Sequence, residues 1–281
     1  MKVFVAGCGT MGSGIAQTFA VHGHDVVMFD QTMDFVDRGH GMLERQLRRQ
    51  EQKGRMRAED VEQTLARLTK SVDLRDAAEA DLVIEAIFED MHAKRELLTG
   101  LDAVCPPECI FGSNTSSLSI TEMAQGLNHE ANVVGIHFFN PAPVMKLVEL
   151  IRGAATSDAT LERAQAIAEA IGKEPVICRE SPGFIVNRVL IPMINEAVHL
   201  LDTGVARRED IDTAMRLGAN HPMGPLQLAD FIGIDIVLNI METLFNETGD
   251  PKYRPSLLLK QMVRAGKLGR KSGEGFYPYN A

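Results

Sequence analysis

The first thirty residues limit what the rest of this chain can become. Residues 2–6, KVFVA, are a short apolar run that breaks into the glycine cluster GCGTMG and continues as SGIAQTFAVHG. In that continuation Ile15, Phe19 and Ala20 recur at helical spacing until Gly23 stops the pattern. A second apolar run, DVVMFD, then closes on Asp30. Strand, glycine turn, helix, strand and terminal acid is the order of a dinucleotide-binding unit. Gly7 permits the tight turn, Gly9 lets a pyrophosphate approach the backbone, and Gly12 lets the helix pack close to the strand. Thr10 and Met11 fall where the helix opens, so their amides belong to the same phosphate seat. A glycine pattern alone would say little; its place between strand and helix gives it weight. Asp30 would bind both ribose hydroxyls and repel a 2′-phosphate, so NAD(H) is expected and NADP(H), though possible, is disfavoured.

The following pattern enlarges this unit. Residues 35–68 are helical in spacing and rich in charge, a helix pair inserted before the next strand. DLVIEAI (81–87), CIFGSN (109–114), NVVGIHFF (132–139), VMKLVELI (144–151) and EPVIC (174–178) read as strands, alternating with helices such as 90–103 and 157–171. The expected class is α/β: a Rossmann-type, doubly wound, mostly parallel sheet over residues 1–181. At SPGF (181–184) helical spacing takes over. An all-helical second domain is expected over 182–281, with a long first helix containing Pro192 and further helices over 207–217, 224–246 and 255–265. A length of 281 residues suits two domains.

The net charge of −9 argues against nucleic-acid or anionic-membrane partners, and no run of about 18 apolar residues predicts a membrane span. Only Cys105 and Cys109 of the four cysteines lie close in sequence, with no histidine at a ligand-like offset, so no metal is expected. Reduced cysteines and a cytoplasmic location follow as the default. One segment departs from the acidic average: residues 42–57, MLERQLRRQEQKGRMR, carry six basic and two acidic side chains.

The chemistry is expected at the carboxyl ends of the strands, where ligands bind in such sheets. In GIHFFNPAPVMKLVEL (135–150), His137 ends one apolar run and Glu149 interrupts the next. Pro141 and Pro143 favour a kinked turn between them, which lets Glu149 return alongside His137. A buried carboxylate beside imidazole fixes its tautomer and stabilises imidazolium, the requirement for alcohol–ketone interconversion next to a nicotinamide. A purely structural ion pair would carry the same signature. Asn140 and the run Asn114-Thr115-Ser116-Ser117 are the other polar candidates at strand ends.

Six segments, GCGTMGSGIAQTFA, SNTSSLSITEMA, GIHFFNPAPVMKLVELI, SPGFIVNRVLIPMINEA, GANHPMGPLQLADFIG and GRKSGEGFYPY, together resemble the 3-hydroxyacyl-CoA dehydrogenase family, closest to its bacterial 3-hydroxybutyryl-CoA members. The resemblance spans essentially the whole chain in order. It implies oxidoreduction between (S)-3-hydroxybutyryl-CoA and acetoacetyl-CoA with NAD(H), with longer acyl chains or a free hydroxy acid as the alternative substrates. It implies His137 as catalytic base and Glu149 as its orienting carboxylate. Ser116 would bond the reacting oxygen, and Asn187, from the helical domain, would help place the substrate. Glu89, Lys94 and Asn140 would approach the nicotinamide half of the cofactor, and Arg49 and Lys53 the phosphates of coenzyme A. A homodimer through the helical domain is implied too, in keeping with the apolar surface of its long helices. Any hydratase-like partner of a multifunctional complex would be a separate polypeptide. A non-catalytic dinucleotide-binding protein would have no need of Ser116, His137, Glu149 and Asn187 together.

Overall fold

A computed structural model describes residues 1–279. The chain divides into two compact units, Met1–Glu180 and the part from Ser181 onward. The first unit runs β1 (Lys2–Ala6), α1 (Thr10–Val21), β2 (Asp25–Phe29), α2 (Met33–Gln52), α3 (Ala58–Ala66), β3 (Leu68–Ser71), β4 (Leu82–Glu85), α4 (Met91–Asp102), β5 (Ile110–Ser113), α5 (Ile120–Ala124), β6 (Val133–Phe138), β7 (Leu147–Arg152), α6 (Asp158–Ala170) and β8 (Glu174–Arg179). These strands form one sheet in the order β3-β2-β1-β4-β5-β6-β7-β8. Every adjacent pair is parallel except β6 with β7. The central strands β4, β5 and β6 are buried along their whole length, as largely apolar strands are when helices cover both faces of a sheet.

The glycine turn is held by close packing on both sides. A β-carbon on Gly12 would fall 1.7 Å from the Gly7 carbonyl oxygen, so α1 could not sit this close to β1 with any other residue there. Gly39 brings α2 over the same turn, because a β-carbon there would lie 2.4 Å from the Cys8 carbonyl oxygen. Around this point Val3, Val5, Ile15, Phe19, Leu43, Leu47 and Ile84 form a core in which each is 1% exposed or less. Each such side chain contributes roughly 1.5–3 kcal/mol on burial.

Two elements differ from the sequence reading. The inserted helix pair ends at Ala66 instead of running through residue 68, and LTKS (68–71) is β3, the edge strand beside β2. This strand has four residues, two of them exposed and polar, so no alternation marks it; its backbone bonds to β2 define it.

The second unit comprises α7 (Val186–Asp202), α8 (Arg208–Gly218), α9 (Pro225–Ile232), α10 (Ile234–Thr248) and α11 (Leu257–Arg264). The single helix expected over 224–246 is therefore two. Gly233 separates them at φ 109°, outside the helical region, while the apolar spacing carries straight across it. Ile191, Ile194, Val198, Leu226, Val237, Met241, Leu244 and Leu259 form its core. Two buried aspartates pin the segment that follows α11. Asp230 accepts the N–H groups of Phe276 (2.8 Å) and Tyr277 (2.9 Å) and the Tyr279 hydroxyl (2.9 Å). Asp212 accepts the Leu226 and Gln227 N–H groups at the start of α9, and the Tyr277 hydroxyl at 2.8 Å. Among the described residues no helix is long and apolar enough to cross a membrane.

Candidate active site

His137 and Glu149 face one another because β7 runs antiparallel to β6, which makes them directly opposed cross-strand partners. The Nδ1 atom of His137 lies 2.8 Å from Oε2 of Glu149. Glu149 is 1% exposed and His137 7%, so the carboxylate bonds the imidazole with little competition from water. With its proton on Nδ1 toward the carboxylate, the neutral ring keeps Nε2 as its basic nitrogen. The Phe139 ring packs against the imidazole at 4.5 Å between centroids. Asn114, at the end of β5, accepts the Phe138 N–H at 2.9 Å and ties that strand end to β6.

The polar run after β5 is gathered by one carboxylate. Oε1 of Glu89 accepts the Thr115 hydroxyl (2.6 Å), the Ser116 N–H (2.9 Å) and the hydroxyls of Ser116 (3.3 Å) and Ser117 (3.2 Å). Burial acts to raise the Glu89 pKa, but the Lys94 charge and the bonds from Thr115 and Ser116 outweigh it, and the group sits below the ordinary carboxylate value. Lys94 is 1% exposed, and its ammonium is enclosed between Glu85 (2.6 Å) and Glu89 (3.2 Å). A lysine one turn into α4 points back along the helix toward its N-terminus, and there it meets the end of β4. Glu85 and Ser113 are part of this cluster and were not among the sequence candidates. The signal was present for Glu85, a lone acid within the apolar run DLVIEAI.

At the other end of the site the glycine turn fits a dinucleotide. Gly7 is at φ 104° and a β-carbon there would lie 2.5 Å from the Ala86 carbonyl oxygen, whereas one on Gly9 would meet nothing within 4 Å. The close packing falls behind the turn and the open side falls where a pyrophosphate would approach. Gly9 caps α1 without a side-chain bond, and the first turn carries no acid, so no side chain competes for the amides of Thr10, Met11 and Gly12. The Met11 side chain packs against the core. Asp30 accepts the Cys8 N–H through one oxygen and the Gln31 N–H through the other, both at 2.8 Å, which holds it over the turn. A cavity of about 730 Å³ opens here, lined by Gly9, Thr10, Asp30, Phe35 and Phe88 among others. Burial, with the Asp30 charge adding to it, pushes the Cys8 thiol up to about 12, and the thiol stays protonated.

The other candidates fall in a turn and in helices. Asn140 is exposed in the turn after β6, and the Asn140–Pro141 peptide is cis. Asn187 is the second residue of α7, in the helical unit. Arg49 and Lys53 are exposed at the end of α2, and among the described residues no ion pair engages them. The basic segment is weaker than its residue count: Arg48 pairs with Glu44, Glu51 and Glu62, and Arg57 with Asp60.

Residues 2–181 match the family model of the 3-hydroxyacyl-CoA dehydrogenase NAD-binding domain, and residues 183–279 that of its C-terminal domain. A probable 3-hydroxybutyryl-CoA dehydrogenase of Bacillus subtilis is 52% identical over 278 residues, 99% of this chain and 97% of the relative. The 3-hydroxybutyryl-CoA dehydrogenase of Clostridioides difficile is 49% identical over the full length of both chains. Among solved structures, the (S)-3-hydroxybutyryl-CoA dehydrogenase of Ralstonia eutropha superposes with a TM-score of 0.96 at 47% identity, covering 100% of this chain and 99% of that one. The chain belongs to the 3-hydroxyacyl-CoA dehydrogenase family and carries that family's NAD-binding domain.

Proposed function

We propose that this chain interconverts (S)-3-hydroxybutyryl-CoA and acetoacetyl-CoA by NAD(H)-dependent hydride transfer. The observation that carries the reading is the buried His137–Glu149 pair at 2.8 Å. It lies at the carboxyl end of β6, the same end of the sheet as the glycine turn after β1. The nicotinamide, when bound, accepts or returns the hydride at the substrate's C3. In the oxidising direction Nε2 of His137 takes the 3-hydroxyl proton as that hydride departs. Glu149 stabilises the imidazolium that results, and holds the ring in the tautomer that begins the cycle. With substrate bound, the Ser116 hydroxyl turns its proton from Glu89 to the reacting oxygen, where charge develops when the carbonyl is reduced. Asn187, from the helical unit, and Asn140 help hold the reactants. Arg49 and Lys53 meet the phosphates of the coenzyme A portion. Asp30 binds the adenosine ribose and disfavours a 2′-phosphate, which selects NAD(H) over NADP(H).

The helical unit serves substrate binding and pairing of two copies in this reading. Support comes from apolar side chains left in water on it, with Val189 at 70% and Leu217 at 80% exposure. The four free cysteines accord with a cytoplasmic enzyme.

The test is oxidation of NADH with acetoacetyl-CoA, run beside NADPH and beside free acetoacetate. Turnover is expected with NADH and the thioester, and His137→Ala should lower it by about 10²–10⁴-fold with NADH affinity retained. A wild-type protein that binds NADH but leaves acetoacetyl-CoA unchanged would sink the assignment.

A further inference from the structure

We propose that Glu85 is a positioning residue for the reaction, acting on Ser116 through a closed ring of hydrogen bonds beneath it. For its catalytic consequence the inference rests on the function proposed above; for its geometry it does not. The ring can be followed atom by atom. Lys94 Nζ donates to Oε1 of Glu85 at 2.6 Å and reaches Oε2 of Glu89 at 3.2 Å. The Thr115 hydroxyl donates to Oε1 of Glu89 at 2.6 Å, and the Thr115 N–H donates to the Ser113 hydroxyl oxygen at 3.3 Å. The Ser113 hydroxyl then donates to Oε2 of Glu85 at 2.5 Å, which closes the circuit. Ser116 hangs from it by two bonds to Glu89, one from its N–H and one from its hydroxyl.

The chemistry of the ring leaves Glu85 little freedom. It is 0% exposed and both its oxygens are engaged, Oε1 also accepting the Ile87 N–H at 2.8 Å. Two carboxyl groups share one ammonium, so what Glu85 holds of Lys94 decides how strongly Lys94 holds Glu89. Glu89 in turn is 28% exposed and fixes the loop that carries Ser116. A buried acid that served the core alone would need only its own bonds satisfied. Here the bonds it accepts from Lys94 and from Ser113 lead, by separate routes, to Thr115, the residue before Ser116.

Glu85→Gln tests this with almost no change of volume. Its amide nitrogen cannot accept from Lys94, so the amide turns toward Ser113 and its oxygen keeps Lys94. The Ser113 hydroxyl then loses its acceptor and meets two donors, while Lys94 shifts its charge to Glu89. The expected result is a fall in kcat of about 10–10²-fold, the scale for misplacing a reacting group by an ångström or less, with the KM for NADH changed less than about threefold. Combined with Ser116→Ala, the loss should be no greater than that of Ser116→Ala alone, because both act on one contact. Hydrogen exchange at the Ser116 amide should speed by about tenfold or more in Glu85→Gln, with the amides of α6 unaffected.

Full kcat in Glu85→Gln, losses that multiply in the double variant, or unchanged exchange at Ser116 would each overturn the proposal. If Glu85→Gln does not fold, Ser113→Ala opens the same ring and takes its place with the same outcomes. Inactivity of the wild type on acetoacetyl-CoA would defeat the substrate assignment instead, and the exchange measurement would still decide the ring.

Discussion

Two strands of this sheet bury a lone acid, and they solve the problem differently. Glu149 on β7 is 1% exposed and takes an imidazole at 2.8 Å; Glu85 on β4 is 0% exposed and takes an ammonium at 2.6 Å. A buried carboxylate must find a partner in either case, since an unpaired one costs several kcal/mol. The partners are not equivalent. Histidine has two ring nitrogens, so the ring on β6 bonds Glu149 through Nδ1 and has Nε2 besides. Lysine ends in one ammonium with three donors, so the side chain on α4 serves Glu85 and Glu89 together. One acid is matched to a single ring, the other to a cation that it shares with a second acid.

The sharpest way to break this contrast is Lys94→Met. It leaves Glu85 and Glu89 without their shared cation, and a stability loss of about 3–5 kcal/mol is expected in urea unfolding. A loss below about 1 kcal/mol would mean that the ammonium holds nothing. Glu149→Gln should cost less in stability but lower kcat by about 10²–10³-fold, because an amide can present its N–H to Nδ1 and select the wrong tautomer. Stopped-flow turnover at saturating NADH reads this, and near-normal rates would reduce the pair to a structural contact. The smallest effect concerns pH. Glu89 has a folded pKa below its ordinary 4.5, so its contribution is complete above that value and disappears as pH falls through the lower folded one. Glu89→Gln should therefore flatten the acid limb of the stability profile below about pH 4.5. An unchanged acid limb would place the sensitivity elsewhere.

The comparison also marks what is legible in the sequence. That Glu149 comes to lie beside His137 can be read, because two prolines between apolar runs announce a turn and a histidine stands at the matching end. Glu85 carries the same mark in DLVIEAI, yet its partner lies nine residues on, in a helix whose charged start looks solvated. The direction in which Lys94 turns depends on the helix meeting the strand end, which no local pattern records. β3 was hidden for a related reason: four residues with two exposed polar side chains become a strand only because β2 offers them a free edge. At Gly233 the apolar spacing continues while the backbone breaks, so periodicity joined what a positive φ separates. The glycine turn is the opposite case, since each of its constraints is met within about thirty residues of sequence.

The aspartates of the helical unit bear on how the chain is made. Asp230 and Asp212 belong to α9 and α8, but the donors that satisfy them include Phe276, Tyr277 and Tyr279, which follow every helix. During synthesis, then, this unit has buried acids awaiting donors until those residues emerge from the ribosome. The sheet of the first unit is complete once β8 has emerged, about a hundred residues earlier. The nascent chain can thus hold a finished nucleotide fold while its helical half is still provisional.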